Sequence, residues 1–326
     1  MQQNDIRYHT YVRILKEELV PAMGCTEPIA IAYGAARARE ILGAIPDKVI
    51  VEVSANIIKN VKSVVVPNTD GLEGIRAAAS IGIIAGKPDK VLEVISEVSQ
   101  EEKKRARDYL NRSCIEVVLA DTPLIFDILI TMYKDLDYVK LRLANHHTNI
   151  VLIEKNGQVL FGAPNWEVRD AAGEYEVAED YKLLNIKDIV DFADTVSLED
   201  VKDTLARQVE YNTAIAEEGL RNDYGANVGR VLLKVYGEDV KIRAKAMAAA
   251  ASDARMSGCE LPVVINSGSG NQGITASLPV IEYAKELKVE EDKLYRALVV
   301  SNLVTIHQKT KIGPLSAFCG AVCAGC

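Results

Sequence analysis

The first chemistry this chain offers lies in Ser267, Gly268, Ser269, Gly270, Asn271, Gln272 and Gly273, which follow the apolar run Leu261 to Ile265. Glycine lets a backbone take positive φ and approach a ligand closely, and a helix starting just beyond adds free N–H groups and its positive dipole end. A carboxylate or phosphate suits such a loop, with Ser267, Gly268, Gly270, Asn271 and Gln272 as candidate substrate-binding residues; a plain structural turn is the alternative. Cysteine supplies the second chemistry. Cys25 sits in Met23-Gly-Cys-Thr-Glu-Pro28, and Cys319, Cys323 and Cys326 run Cys-x3-Cys-x2-Cys. Thr26 reads as an N-cap, with Pro28 in the first turn of a helix to about Leu42. Cys25 therefore stands at a helix N-terminus, where the dipole favours the reactive thiolate; a small residue buried in a tight turn is the equal alternative. Asn68 and Thr69, in Pro67-Asn-Thr-Asp-Gly71, either cap the helix that follows or add donors to a ligand site.

The elements that must position these residues follow from periodicity. Tyr11, Ile14, Leu15 and Leu19 mark an amphipathic helix ending before Pro21. Lys48 to Val53 alternates as a strand, and Leu72 to Ala85, apolar on nearly every side, reads as a buried helix. Pro88 to Leu110 reads as two surface helices. Short β-type runs then occupy Ile115 to Leu119, Leu124 to Met132, Tyr138 to Leu143, Asn149 to Glu154 and Gln158 to Phe161, with Asn156-Gly157 as a hairpin turn and antiparallel pairing expected. His146 and His147 fall between strands and read as a solvated pair. Ala163 to Asp180 reads as a connection. Asn185 to Met256 is nearly continuous helix pattern, with Ala244 to Ala251 suited to close helix packing, and a last helix spans Asp292 to His307 before Gly313-Pro314. The expected class is α+β: residues 1–184 hold the N-terminal helices and an antiparallel sheet, and residues 185–326 form a mainly helical domain.

Composition narrows the partners. A net charge of −8 with no long Lys/Arg block argues against nucleic acid, and sparse aromatics argue against base stacking. The polar first residues carry no signal peptide, and no uncharged apolar run reaches membrane-spanning length, so a cytoplasmic protein is expected. In that setting six cysteines are thiols or metal ligands rather than disulfides. Cys114 and Cys259 stand alone and read as structural. Gly268, Gly270 and Gly273 also spell Gly-x-Gly-x-x-Gly, but the segments after them read as helix where a dinucleotide fold needs a second strand.

Gly24-Cys-Thr-Glu-Pro28, Gly268 through Pro279, and Leu315-Ser-Ala-Phe-Cys-Gly320 resemble the L-cysteine desulfidase family, itself related to the alpha chain of iron–sulfur L-serine dehydratases. The resemblance spans nearly the whole chain, with the motifs in the expected order. It implies conversion of L-cysteine and water to pyruvate, ammonia and sulfide at a [4Fe–4S] cluster, whose open iron acts as a Lewis acid. It also implies that Cys319 is a cluster ligand and that Cys25 is the catalytic cysteine, as base or as ligand to the unique iron. The family continues with a Cys-Asp-Gly-Ala-Lys-x-x-Cys segment beyond the last residue here, which implies a truncated chain, and Cys323 and Cys326 do not match those further ligands. Thr26 and the glycine loop would orient the substrate carboxylate and amine, and Lys309 or Lys311 would add positive charge.

Alternatives remain open at this level. L-serine dehydratase chemistry differs from the desulfidase by one atom, sulfur for oxygen. A non-catalytic module binding a small carboxylate needs only the loop. A pyridoxal-phosphate lyase would share Ser-Gly-x-Gly-Asn-Gln-Gly but needs a separate polyglycine phosphate loop that the sequence lacks. The expected partner is a small amino acid, and the Ala-rich helix faces suit a homodimer.

Overall fold

A computed structural model describes residues 1–163, 179–310, 312 and 319–325 of the chain. Two compact units result, Met1–Ala22 with Tyr175–Cys326, and Met23–Glu174. Most of the expected connection after Ala163, together with Lys311, the Gly313-Pro314 turn and Cys326, lies outside the described residues. The chain enters the first unit through α1 (Ile6–Glu18), capped where the Asp5 carboxylate accepts the Arg7 N–H at 2.9 Å. It leaves through β1 (Pro21–Met23). The first helix thus belongs with the C-terminal helices, whereas its sequence position groups it with the sheet.

The second unit is the α+β part. Its elements are α2 (Thr26–Leu42), β2 (Lys48–Val53), α3 (Ala55–Val61), α4 (Gly74–Ala85), α5 (Gln100–Asn111), β3 (Ile115–Leu119), β4 (Asp127–Lys134), β5 (Asp137–Ala144), β6 (Ile150–Lys155) and β7 (Gln158–Gly162). The strands form one sheet in the order β3-β2-β4-β5-β6-β7. Alternation sends Val49, Val51, Val53, Ile128, Ile130, Met132, Val139, Leu141 and Leu143 inward, all fully buried. From β4 to β7 successive strands pair antiparallel, and Asn156-Gly157 takes φ of 51° and 81°, the mirror-image turn that matches strand twist. β2 and β3 instead pair parallel, a departure from the expected wholly antiparallel sheet. The helices α3, α4 and α5 lie between them in sequence, and a crossover of that length returns the chain in the same direction. α4 reaches close quarters with α2 because Gly82 has no side chain: a Cβ there would lie 2.3 Å from the Ala32 carbonyl oxygen. His147 is buried with its ring 4.8 Å from that of Phe126, so it is a core residue rather than a solvated one.

The first unit resumes with α6 (Glu179–Lys182), α7 (Ile186–Thr195), α8 (Lys202–Arg221), α9 (Val228–Tyr236), α10 (Val240–Met256), β8 (Pro262–Val264), α11 (Gly270–Leu287), α12 (Glu291–Lys309) and α13 (Gly320–Gly325). Tyr8 and Tyr11 of α1 meet Phe192 of α7 edge-on at 5.4 and 5.3 Å, burying a large apolar area in favourable ring geometry. The Ala-rich α10 does what its composition suggests. Gly219 of α8 and Gly229 of α9 press onto its backbone, where a Cβ would stand 2.1 Å from the Ala250 carbonyl and 2.4 Å from that of Ala246. β8 pairs only with β1, and among the described residues helices follow it, so the glycine pattern is not part of a dinucleotide-binding βαβ unit. No helix of the described residues is long and apolar enough to cross a membrane.

Candidate functional site

In the first unit, β8 delivers the chain to Asn266, and Asn266 to Ser269 forms a tight turn. The two outer residues exchange both backbone hydrogen bonds, at 3.1 and 3.0 Å, while Ser267 and Gly268 take φ of 46° and 76°. Two consecutive positive φ values define the same mirror-image turn seen in the hairpin, and Gly268 fills the position that favours glycine. Ser269 then caps α11, its hydroxyl accepting the Gln272 N–H at 3.3 Å and its carbonyl the Gly273 N–H at 3.1 Å. The other two glycines serve contact, not conformation. A Cβ on Gly273 would lie 2.2 Å from the Val264 carbonyl, and one on Gly270 only 2.1 Å from Nε of Arg255.

A buried amide network holds this turn. Asn266 Nδ2 donates to Asn302 Oδ1 at 3.0 Å, Gln208 Nε2 donates to the same oxygen at 3.0 Å, and Gln272 Nε2 donates to Asn266 Oδ1 at 2.9 Å. Ser267 Oγ adds a bond to Asn266 Oδ1 at 3.1 Å. Asn212 ties β8 to α11 by accepting the Val264 N–H at 2.9 Å and donating to Ser277 Oγ at 2.9 Å. Satisfied networks of this kind rigidify a core. One atom stands out: Gln272 Oε1 is buried with no hydrogen-bond partner.

Charged side chains gather around the turn. Glu18, at the end of α1, receives hydrogen bonds from the Tyr181 hydroxyl and the Ser267 N–H. Loss of solvent pushes its carboxyl above the usual carboxylate range, against the lowering effect of those hydrogen bonds and of the Lys309 charge. Lys309 is itself only 4% exposed, so the positive charge anticipated from this basic stretch is an interior one. Arg255, in the last turn of α10, is equally buried at 4%. Its Nη1 donates to Asn271 Oδ1 at 2.9 Å and touches Met256 Sδ at 3.6 Å, while its Nε has no partner. Among the described residues no carboxylate pairs with it. The C-terminal dipole of α10 is worth only about 0.3–1 kcal/mol to a cation, against a burial penalty of roughly several kcal/mol per ion. Asn271 passes the interaction on, its Nδ2 lying 3.5 Å from Sγ of the exposed Cys319 just before α13. Gly320 seats α13 there: a Cβ on it would lie 2.3 Å from Ser269 Oγ.

In the second unit the Cys25 turn is built by shape. Gly24 has φ +63° and lies against Pro67, whose Cγ would be 2.8 Å from a Cβ at Gly24. Cys25, rather than Thr26, is the N-cap of α2: its φ and ψ of −72° and 132° are extended, its carbonyl accepts the Ile29 N–H at 3.3 Å, and Thr26 is the first helical residue. The Thr26 hydroxyl faces the Glu27 carboxylate at 3.3 Å. Asn68, at φ 56°, donates Nδ2 to the Ile95 carbonyl at 2.7 Å and to Met23 Sδ at 3.6 Å. Thr69 closes its own loop by donating to the Val66 carbonyl at 2.6 Å and accepting the Leu72 N–H. The structure therefore brings Cys25, Thr26 and Asn68 together in one unit, and Ser267, Gly268, Gly270, Asn271, Gln272 and Cys319 together in the other. Spacing alone points to neither Arg255 nor Glu18, each of which reads as an ordinary surface charge at a helix end.

A [4Fe–4S] cluster needs thiolates from several cysteines. Among the described residues no three His, Cys, Asp or Glu side chains converge to hold a metal ion. Among the described residues, Cys319 and Cys323 are the thiols that the last segment offers. These residues by themselves do not make a cluster site.

Residues 89–326 match the family model described as serine dehydratase alpha chain. The UPF0597 protein of Desulfitobacterium hafniense is 67% identical over 326 residues, covering all of this chain and 75% of that protein. Those of Treponema denticola and Lachnoclostridium phytofermentans are 52% and 53% identical, with 100% and 97% of this chain and 76% and 75% of theirs covered. No solved structure matches.

Proposed function

This chain belongs to the serine dehydratase alpha-chain family, and from that premise we propose that it is a lyase that removes the β-substituent and the amine of a small L-amino acid, with L-cysteine as substrate and pyruvate, ammonia and sulfide as products. The observation that supports this reading is one side chain. Asn271 accepts from a buried guanidinium with its oxygen and faces the Cys319 thiol with its nitrogen, so an anion-seeking group and a soft metal ligand from two other segments both meet the first turn of α11. The turn of Ser267 and Gly268 would orient the carboxylate, and Glu18, by fixing the Ser267 N–H, holds that turn in shape. Cys25 is proposed as the catalytic base of the reaction, acting in its thiolate form. Loss of the Cα proton and of HS⁻ gives aminoacrylate, which takes up water and releases ammonia to leave pyruvate, so atoms balance. A [4Fe–4S] cluster belongs to this reading through the family, and when bound it would supply a Lewis acid.

L-Serine is the second reading, favoured by the description of the family model itself. Anaerobic reconstitution with iron and sulfide, followed by pyruvate assays with L-cysteine and with L-serine, separates the two. Pyruvate from L-cysteine with sulfide release supports the desulfidase; pyruvate from L-serine alone replaces it with a dehydratase. Absence of pyruvate from both substrates, in protein whose visible spectrum shows a cluster, refutes the lyase. A Cys25→Ser variant that keeps full turnover refutes the assignment of the base.

A further inference from the structure

Among the described residues, Arg255 is the charged side chain around the glycine turn whose burial has no explanation inside the fold. It is 4% exposed, its Nε lacks any hydrogen-bond partner, and Nη1 reaches only a neutral amide and a thioether. It also lies against Gly270, the first residue of α11, close enough that even one extra carbon there would overlap it. A helix N-terminus is the positive end of its dipole, so two positive features have been packed together. Elsewhere the chain gives its inward-facing arginines carboxylate partners: the largely buried Arg142 meets Asp127 through two hydrogen bonds, at 2.8 and 2.7 Å, and even the half-buried Arg243 meets Glu282 at 3.0 Å and Glu286 at 2.9 Å. Convergent donors without an anionic acceptor are the complement of an anion that is not part of the chain.

We propose that Arg255, with the first turn of α11, is the carboxylate anchor of this site. It takes the α-carboxylate of a small amino acid through the guanidinium, with Asn271 positioning that guanidinium and standing between it and Cys319. The planar fork of an arginine suits a carboxylate better than a point charge does, and burial strengthens the pairing. The assignment rests on the amino-acid reading above for the identity of the ligand, though not for its charge.

Calorimetric titration of the full chain with L-serine, and with L-serinamide as the same molecule lacking the carboxylate charge, tests this. The wild-type protein is expected to prefer L-serine by at least about thirtyfold, the range for a buried charged hydrogen-bond pair. Arg255→Met should erase the preference, and Arg255→Lys should retain part of it. Asn271→Asp tests the same point in a chain that keeps its arginine: a carboxylate fixed beside Nη1 should occupy the anchor from within, raise the melting temperature and abolish the preference. A merely structural arginine would leave the serine-to-serinamide ratio unchanged in all three variants, and that result overturns the anchor. So does a wild-type chain that binds the two compounds alike. An Arg255-dependent preference in protein that never forms pyruvate would instead overturn the lyase and leave the anchor standing.

Discussion

Two inward-facing arginines divide the molecule by purpose. In the sheet of the second unit, Arg142 of β5 grips Asp127 of β4 through a two-pronged pair whose carboxylate is almost fully buried. In the first unit, Arg255 is more deeply buried, and has a neutral amide and a thioether beside it. The sheet closes its charge internally, as a scaffold does. The glycine turn leaves its charge open, as a binding site does. The neighbouring turns differ in the same sense: Gly24 and Asn68 shape the Cys25 turn through steric fit and backbone bonds, whereas the turn at Ser267 and Gly268 is surrounded by Glu18, Lys309 and Arg255.

The sharpest way to break this comparison is to create the Arg255 situation in the sheet. Asp127→Asn leaves Arg142 without its carboxylate and should cost about 3–5 kcal/mol in chemical denaturation. Arg255→Met, measured without ligand, should be close to neutral or stabilising, because no internal pair is lost. Equal losses would mean that Arg255 has a partner within the fold. The glycines come next. Gly24→Ala forces positive φ on an alanine and drives its Cβ into Pro67, for a loss of about 2–4 kcal/mol; Gly270→Ala overlaps Arg255 and should cost roughly 1–3 kcal/mol. Only Gly270→Ala should also weaken L-serine binding, since only it displaces the guanidinium. An equal binding loss in both variants would erase the distinction between scaffold and site.

The smallest expected effect is on pH dependence. Burial raises the Glu18 carboxyl, so the folded state holds its proton to higher pH than the unfolded chain does. Between the ordinary carboxylate value and the raised one, the native state binds more protons, and stability falls as pH rises. Glu18→Gln removes that titration. Its stability relative to the wild type should therefore improve as pH climbs above the ordinary carboxylate range, and denaturation curves at several pH values would expose a flat difference if Glu18 titrates normally.

Much of this was legible in residue order. Period-two alternation marks β2 at its observed limits, because one buried face imposes that spacing locally, and short β-type runs mark β3 at its limits and the other strands to within a few residues. Gly268 and Asn156-Gly157 announce their turns, since only certain residues accept positive φ. The serine dehydratase motifs, as linear strings, announce the family. What tertiary structure alone decided is which side chains meet. The parallel pairing of β2 with β3, the place of α1 among the C-terminal helices, and the network of Gln208, Asn266 and Asn302 all join residues far apart in the chain. Arg255 and Glu18 look like ordinary charged helix ends in the sequence. Their meaning comes from burial and from the partner each has or lacks, and those depend on packing between elements that no local spacing records.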